Sequence, residues 1–259
     1  MAEPSIVVKV EDRPSGRVAT VVIDNQSKLN TMNTARIVAL REAFERLSQN
    51  DELRAVVLTG AGEKAFIGGA DLNELGGLCA DSSRLFITRL HKACKAIRDC
   101  AVPVIARVDG YCLGAGLEIA AAADMRIASS RAKFGMPEVQ VGLPSVVEAA
   151  LLPGLIGWGK TREILLTGEV FGAEEAAAMG FIQKLVEPTA LDAGVEHWLE
   201  LICRAGPHAI RNQKALMNRW QEVSVQEGIY ASIDALSDAY KTGEPQAAVK
   251  AFFDRKAKK

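Results

Sequence analysis

Two short stretches place small residues where chemistry at a carbonyl group could use them. They are Ala65-Phe66-Ile67-Gly68-Gly69-Ala70-Asp71-Leu72 and Asp109-Gly110-Tyr111-Cys112-Leu113-Gly114-Ala115-Gly116-Leu117-Glu118, each just past an apolar run and before a helical pattern. Small residues let backbone N–H groups approach a ligand atom closely. A helix N-terminus adds unpaired N–H groups and a favourable dipole. Two such groups converging on one oxygen make an oxyanion hole, although each stretch taken singly is also an ordinary turn closing a βα unit.

Two carboxylates accompany these turns. Glu118 falls in the first turn of an alanine-rich helix and is the only charge between Asp109 and Asp124. A charge on a helix that reads as buried is either paired or functional. Glu138 follows Phe134-Gly135-Met136-Pro137, a strand-to-loop exit, and alone would be a surface loop acid. The spacing by itself does not bring the two acids together.

Other chemistries fit less well. Gly114-Ala115-Gly116 begins a dinucleotide fingerprint, but the third glycine position holds Ile119. Gly154 to Thr161 matches G-x-x-x-x-G-K-[ST] literally, yet Val146–Leu152 before it reads as helix rather than strand. Leu155, Ile156 and Trp158 are also too bulky for a backbone cradle. The five cysteines and three histidines show no metal-type spacing and suggest free thiols, with the histidines structural or at the surface. A net charge of −1 gives no basic field for nucleic acid. No apolar run is long enough to span a membrane, and Met-Ala-Glu-Pro lacks the basic and apolar regions of a leader. No membrane partner is expected, and a cytoplasmic location is the default.

The elements that must position these residues alternate in the first part of the chain. Residues 5–10, 17–24, 55–59, 104–108, 125–128 and 132–135 read as strands. Helical spacing appears over 33–48, 82–100 and 114–123, and from about 145 the pattern is mostly helical. That alternation predicts an α/β core, residues 1–200, followed by a helical appendage, residues 201–259.

These motifs, in order, resemble the crotonase (enoyl-CoA hydratase/isomerase) superfamily over about Val21 to Lys256. Gly-Gly-Ala-Asp-Leu (68–72) is similar to its A-G-A-D-[LI] element, and residues 109–118 to its N-G-x-x-x-G-G-G-x-E element. Phe134–Val139 is similar to F-x-x-P-E, Thr167–Phe181 to a T-G…A-x-E-A…G-[LF] stretch, and Ala251-Phe252-Phe253 to a C-terminal A-F-x-x-[KR]. The resemblance implies a spiral of ββα units whose C-terminal helices assemble a homotrimer, or a hexamer of paired trimers. It implies that the N–H groups of Ala70 and Ala115 form the oxyanion hole and that Glu118 and Glu138 are the catalytic acids. Gly68, Ala70, Asp71 and Leu72 would line the coenzyme A arm, Lys28 and Leu29 would sit near its adenine and phosphates, and Lys256 would be a further basic contact. Leu75, Leu78, Leu85, Phe86, Val139 and Val141 are candidates for the acyl pocket.

One departure bears on the reaction. Where hydratases continue G-A-G-G-T after Gly142-Leu143-Pro144, this chain reads Ser145-Val146-Val147-Glu148. Glu148 itself reads as a solvated acid in the first turn of a helix. The activity implied is hydration of a 2-enoyl-CoA thioester, needing no metal or redox cofactor because coenzyme A is part of the substrate. A Δ3,Δ2-enoyl-CoA isomerase, a thioester hydrolase and a decarboxylase stay open within the family. A catalytically silent acyl-CoA- or RNA-binding relative stays open outside enzymology.

Overall fold

The computed structural model describes residues 5–257; the Met1–Pro4 start, read above as carrying no leader, lies outside the described residues. In chain order the strands are β1 (Ser5–Arg13), β2 (Gly16–Asp24), β3 (Leu53–Gly60), β4 (Ala65–Ile67), β5 (Val104–Val108), β6 (Tyr111–Leu113), β7 (Met125–Ser129), β8 (Lys133–Gly135), β9 (Val170–Gly172) and β10 (Lys184–Val186). The helices are α1 (Thr34–Ser48), α2 (Leu72–Leu75), α3 (Ala80–Arg98), α4 (Ala115–Ala122), α5 (Leu152–Thr167), α6 (Ala173–Ala178), α7 (Leu191–Arg204), α8 (Pro207–Trp220), α9 (Val225–Lys241) and α10 (Glu244–Ala257).

Two sheets result, one of six strands in the order β1-β2-β3-β5-β7-β10 and one of four in the order β4-β6-β8-β9. The chain gives a strand to the first sheet, the next to the second, and then a helix. It does so at β3-β4, β5-β6 and β7-β8, which is a spiral of ββα units. Within the larger sheet β3 pairs in parallel with β2 and β5, and both its faces are covered. That is why Ala55–Leu58 is a continuous apolar run rather than an alternating one. Val56 and Leu58 enter the main core, while Ala55 and Val57 meet Leu191, Val195 and Leu199 of α7 on the other face.

Of the helices that back the site, α3 is amphipathic and α4 is buried all round. In α3, Phe86, Leu90 and Ile97 are buried, and each such side chain stabilises the fold by roughly 1.5–3 kcal/mol. In α4 every residue is buried, including Glu118. Asn33 caps α1 by accepting a hydrogen bond from the Arg36 N–H at 3.0 Å. The strands β4, β6, β9 and β10 do not stand out in the sequence, because three residues are too few to show a period of two.

The phosphate-loop look-alike is helical. Residues 154–161 lie inside α5, broken only at Gly157 (φ 76°). Thr161 Oγ donates to the Gly157 carbonyl at 2.8 Å, and Lys160 Nζ lies 3.0 Å from both Glu163 and Glu175. The helix is preceded by a 3-10 turn (Val147–Leu151), not by the strand that a phosphate cradle requires.

The C-terminal helices are tied to the core by a buried lysine. Lys214 of α8 is 3% exposed, and its Nζ donates to Asp124 at 2.7 Å and to the Val102 carbonyl at 3.0 Å. Beyond it, α9 presents Ile229, Ile233, Leu236 and Tyr240 to solvent at helical spacing. No helix among the described residues is long and apolar enough to cross a membrane.

Candidate active site

The first turn of α4 is the centre of the site. Strand β6 ends at Leu113, Gly114 turns the chain with φ 52°, and α4 starts at Ala115. A side chain at Gly114 would collide with Glu138 Oε1, and one at Gly116 would overlap the Ile67 carbonyl of β4. The glycines therefore press this helix end against β4 on one side and the 3-10 turn Pro137–Val141 on the other. As the first residue of the helix, Ala115 keeps an N–H without an intrahelical acceptor.

Ala70 is held by a parallel bridge to Met32. The bridge uses the Met32 N–H on the Gly69 carbonyl and the Asp71 N–H on the Met32 carbonyl, both at 2.9 Å. In an extended backbone successive N–H groups point to opposite edges, so that of Ala70 faces away from Met32. Ala70 and Ala115 both line one cavity of about 670 Å³, as do Glu118 and Glu138. Its remaining wall is largely apolar, with Leu72 and Leu75 of α2, Phe86, Ile87 and Leu90 of α3, and Val141, Leu143 and Val146 of the loop after β8. Of the acyl-pocket candidates, Leu75, Leu78, Phe86 and Val141 face this cavity, whereas Leu85 and Val139 do not line it.

The two acids differ in environment. Glu118 is 3% exposed with Oε1 unpartnered, and burial first, then the charges of Glu138 and Glu148, push its pKa up to about 8. The amides of Ala149 and Val146 partly oppose that shift. At neutral pH Glu118 therefore carries its proton. Glu138 is half-buried, and the Ser145 hydroxyl donates to its Oε2 at 2.8 Å.

Glu148 departs from its expected solvated position. It is 3% exposed, on a 3-10 turn packed against α3 and α4, and His91 Nδ1 lies 2.9 Å from its Oε1. Burial raises its pKa, and His91 opposes the shift. The backbone turns it inward at Val147, a β-branched residue at φ 39°. Such a conformation costs on the order of 1–3 kcal/mol and persists only where the surroundings over-determine it. Neither the Glu148–His91 pair nor the Ser145–Glu138 contact was visible in the sequence. His91 and Glu148 are 57 residues apart, and no spacing rule links them.

The residues assigned to the coenzyme A arm divide. Gly68, Ala70 and Leu72 line the cavity. Leu29 lies beside it, its carbonyl accepting the Gly68 N–H at 2.8 Å. Asp71 is buried and caps α2, accepting from the Asn73 N–H at 3.0 Å, with Lys28 Nζ 3.7 Å away. Its side chain is therefore a structural cap, absent from the cavity lining. Lys256 is exposed on α10, its Nζ 5.1 Å from the Phe252 ring centre, and is also absent from that lining. Among the described residues no group of three His, Cys, Asp or Glu is placed to hold a metal ion.

Comparison with known proteins identifies the family. The profile of the family described as enoyl-CoA hydratase/isomerase matches residues 13–259. The short-chain-enoyl-CoA hydratase of Clostridium acetobutylicum is 32% identical over 93% of this chain and 93% of its own length. The crotonyl-CoA hydratase of Syntrophomonas wolfei is 30% identical over 99% of this chain and 97% of its own. Among solved structures, the enoyl-CoA hydratase from Bacillus anthracis superposes with a TM-score of 0.90 at 27% identity, covering 96% of both chains. On its motifs, fold and similarity to these proteins, the chain belongs to the enoyl-CoA hydratase/isomerase family of the crotonase superfamily.

Proposed function

We propose that the protein is an enoyl-CoA hydratase that adds water across the double bond of a 2-enoyl-CoA thioester. The observation that carries this reading is that Glu118 and Glu138 line the same cavity as the Ala70 and Ala115 amides. The thioester carbonyl is bound by those two N–H groups, which stabilise the enolate oxygen as it forms. Glu118 enters protonated and delivers its proton to the α-carbon. Glu138 receives the proton of the water that attacks the β-carbon. Acid, base and amides complete the addition, so the reaction as drawn uses no metal or redox cofactor.

The similarity to hydratases named for short-chain and crotonyl substrates supports a short acyl group. A place in fatty acid metabolism follows from that substrate class. The five free cysteines suit a reducing, cytoplasmic setting. The apolar stripe on α9, continued by Phe252 and Phe253 of α10, supports assembly into a homotrimer or a hexamer of two trimers. Light scattering on the purified chain reads the oligomeric mass directly.

The test of activity is loss of conjugated-thioester absorbance on crotonyl-CoA, with a product heavier by one water. A protein that leaves crotonyl-CoA and longer 2-enoyl-CoAs untouched, yet converts 3-enoyl to 2-enoyl thioesters, is an isomerase instead.

A further inference from the structure

A third acid stands beside this site without lining its cavity. Glu148 is 3% exposed, yet its Oε2 has no hydrogen-bond partner, while its Oε1 is engaged by His91 Nδ1 at 2.9 Å. Glu118, on the helix packed against the Glu148 turn, also has a buried oxygen without a partner. The carboxylate of Glu118 lies against the amides of Val146 and Ala149, the residues that bracket Glu148. Two neighbouring acids in a dehydrated interior cannot both ionise. Glu148 Oε1 is engaged by His91, whose side chain is 47% exposed, whereas Glu118 Oε1 has no partner, so the shared proton falls to Glu118.

The other charges around the pair do not alter this assignment. From α3 come His91, the Cys94 thiol and Arg98. Glu138 acts on Glu118 from the opposite wall. On α5, Lys160 is paired with Glu163 and Glu175, and Arg162 lies over Trp158. The left-handed conformation of Val147 is retained where it turns Glu148 inward, so the inward acid is part of the local design rather than a loose side chain.

We infer that Glu148, held by His91, is a positioning residue that keeps the proton on Glu118, and that half-exposed His91 links this state to the solution outside the acyl cavity. The inference rests on the reading of Glu118 as the proton donor.

The test follows Glu118 itself, through the infrared band of its protonated carboxyl, identified as the band that Glu118→Gln deletes. The band is titrated against pH beside the pH profile of crotonyl-CoA hydration. Glu148→Gln removes the charge and keeps the shape. The midpoint of the Glu118 band and the alkaline limb of the rate profile then both move down by about one pH unit. His91→Leu removes the ring partner of Glu148 Oε1, and a buried carboxylate that loses its partner takes up a proton. The same downward shift is expected, and the double variant moves no further than either single. Because His91 is half-exposed, its variant keeps the packing intact and carries the test should Glu148→Gln fail to fold. A Glu118 midpoint that stays put in folded variants, or a loss of rate with no movement of the alkaline limb, overturns the inference. Wild-type protein without hydratase turnover would sink the proposed activity alone, since the carboxyl titration reads Glu148 without any turnover.

Discussion

Glu118 and Glu138 share a cavity but not an environment. The first grows from a helix buried along its whole length, and burial holds its proton to about pH 8. The second sits on a short 3-10 turn in a half-exposed loop, steadied by one serine hydroxyl. On the proposed mechanism the contrast divides the work between two residues of one type: the deep acid, kept neutral by its surroundings, donates, and the shallower one receives. It also sorts the positions around them by how strongly a substitution should be felt.

Exchanging the acids themselves is the largest test. Glu118→Gln and Glu138→Gln preserve shape but cannot move protons, so each should lose roughly 10²–10⁴ in crotonyl-CoA turnover. Because the two act on one water, the double variant should be little slower than either single. Steady-state kinetics on all three decide it, and a mild effect at one of the two positions would favour a one-base isomerase. Next comes the amide at Ala115. Ala115→Val crowds the position of the thioester oxygen and should cost up to ~10²–10³ in kcat, the scale of losing one oxyanion donor, whereas Ala115→Gly should keep most activity. Equal activity in Ala115→Val would remove this residue from the oxyanion hole.

The third test uses stability instead of rate. The folded state holds the Glu118 proton up to about pH 8, while an unfolded chain releases it near the ordinary carboxylate value of 4.5. Between these values the native state binds more protons, so its contribution to stability is present at low pH and is lost as pH rises toward 8. Denaturant melts at pH 5 and pH 9 should show wild type losing more stability than Glu118→Gln. Glu138→Gln removes a charge that raises the Glu118 pKa, so it should flatten the wild-type slope in part. If Glu118→Gln keeps the wild-type slope, Glu118 is not the deep acid described here. The smallest expected effect is at the serine. Ser145→Ala removes a single hydrogen bond worth about 0.5–1.5 kcal/mol, so turnover should fall roughly twofold to tenfold. An unaltered rate would mean that the loop alone orients Glu138.

Much of this arrangement is legible in the sequence. The apolar run at β3, the helical spacing of α1 and α3 and the glycine turn at 110–116 carry local information that a chain expresses wherever it folds. A further glycine-containing stretch, residues 154–161, shows the limit of such reading. Its motif matched a phosphate loop letter for letter, and the surrounding helical pattern outweighed the match. The three-residue strands β4, β6 and β9, which hold the site from beneath, left no period to detect.

By itself, then, the sequence determined the alternating core, the two small-residue turns and the presence of an acid on a buried helix, because each depends on residue type and short-range spacing. Only the tertiary structure decided which acids meet. Glu138 reaches the N-terminus of α4 because Gly114 leaves room for its carboxylate. The Asp71 side chain caps α2, a contact that its motif did not announce. Glu148, which looked like a solvated helix acid, is turned inward by a strained Val147 to meet a histidine 57 residues away. Burial and long-range pairing set the protonation of these acids. Both are properties of packed elements, so no local stretch of sequence could have displayed them.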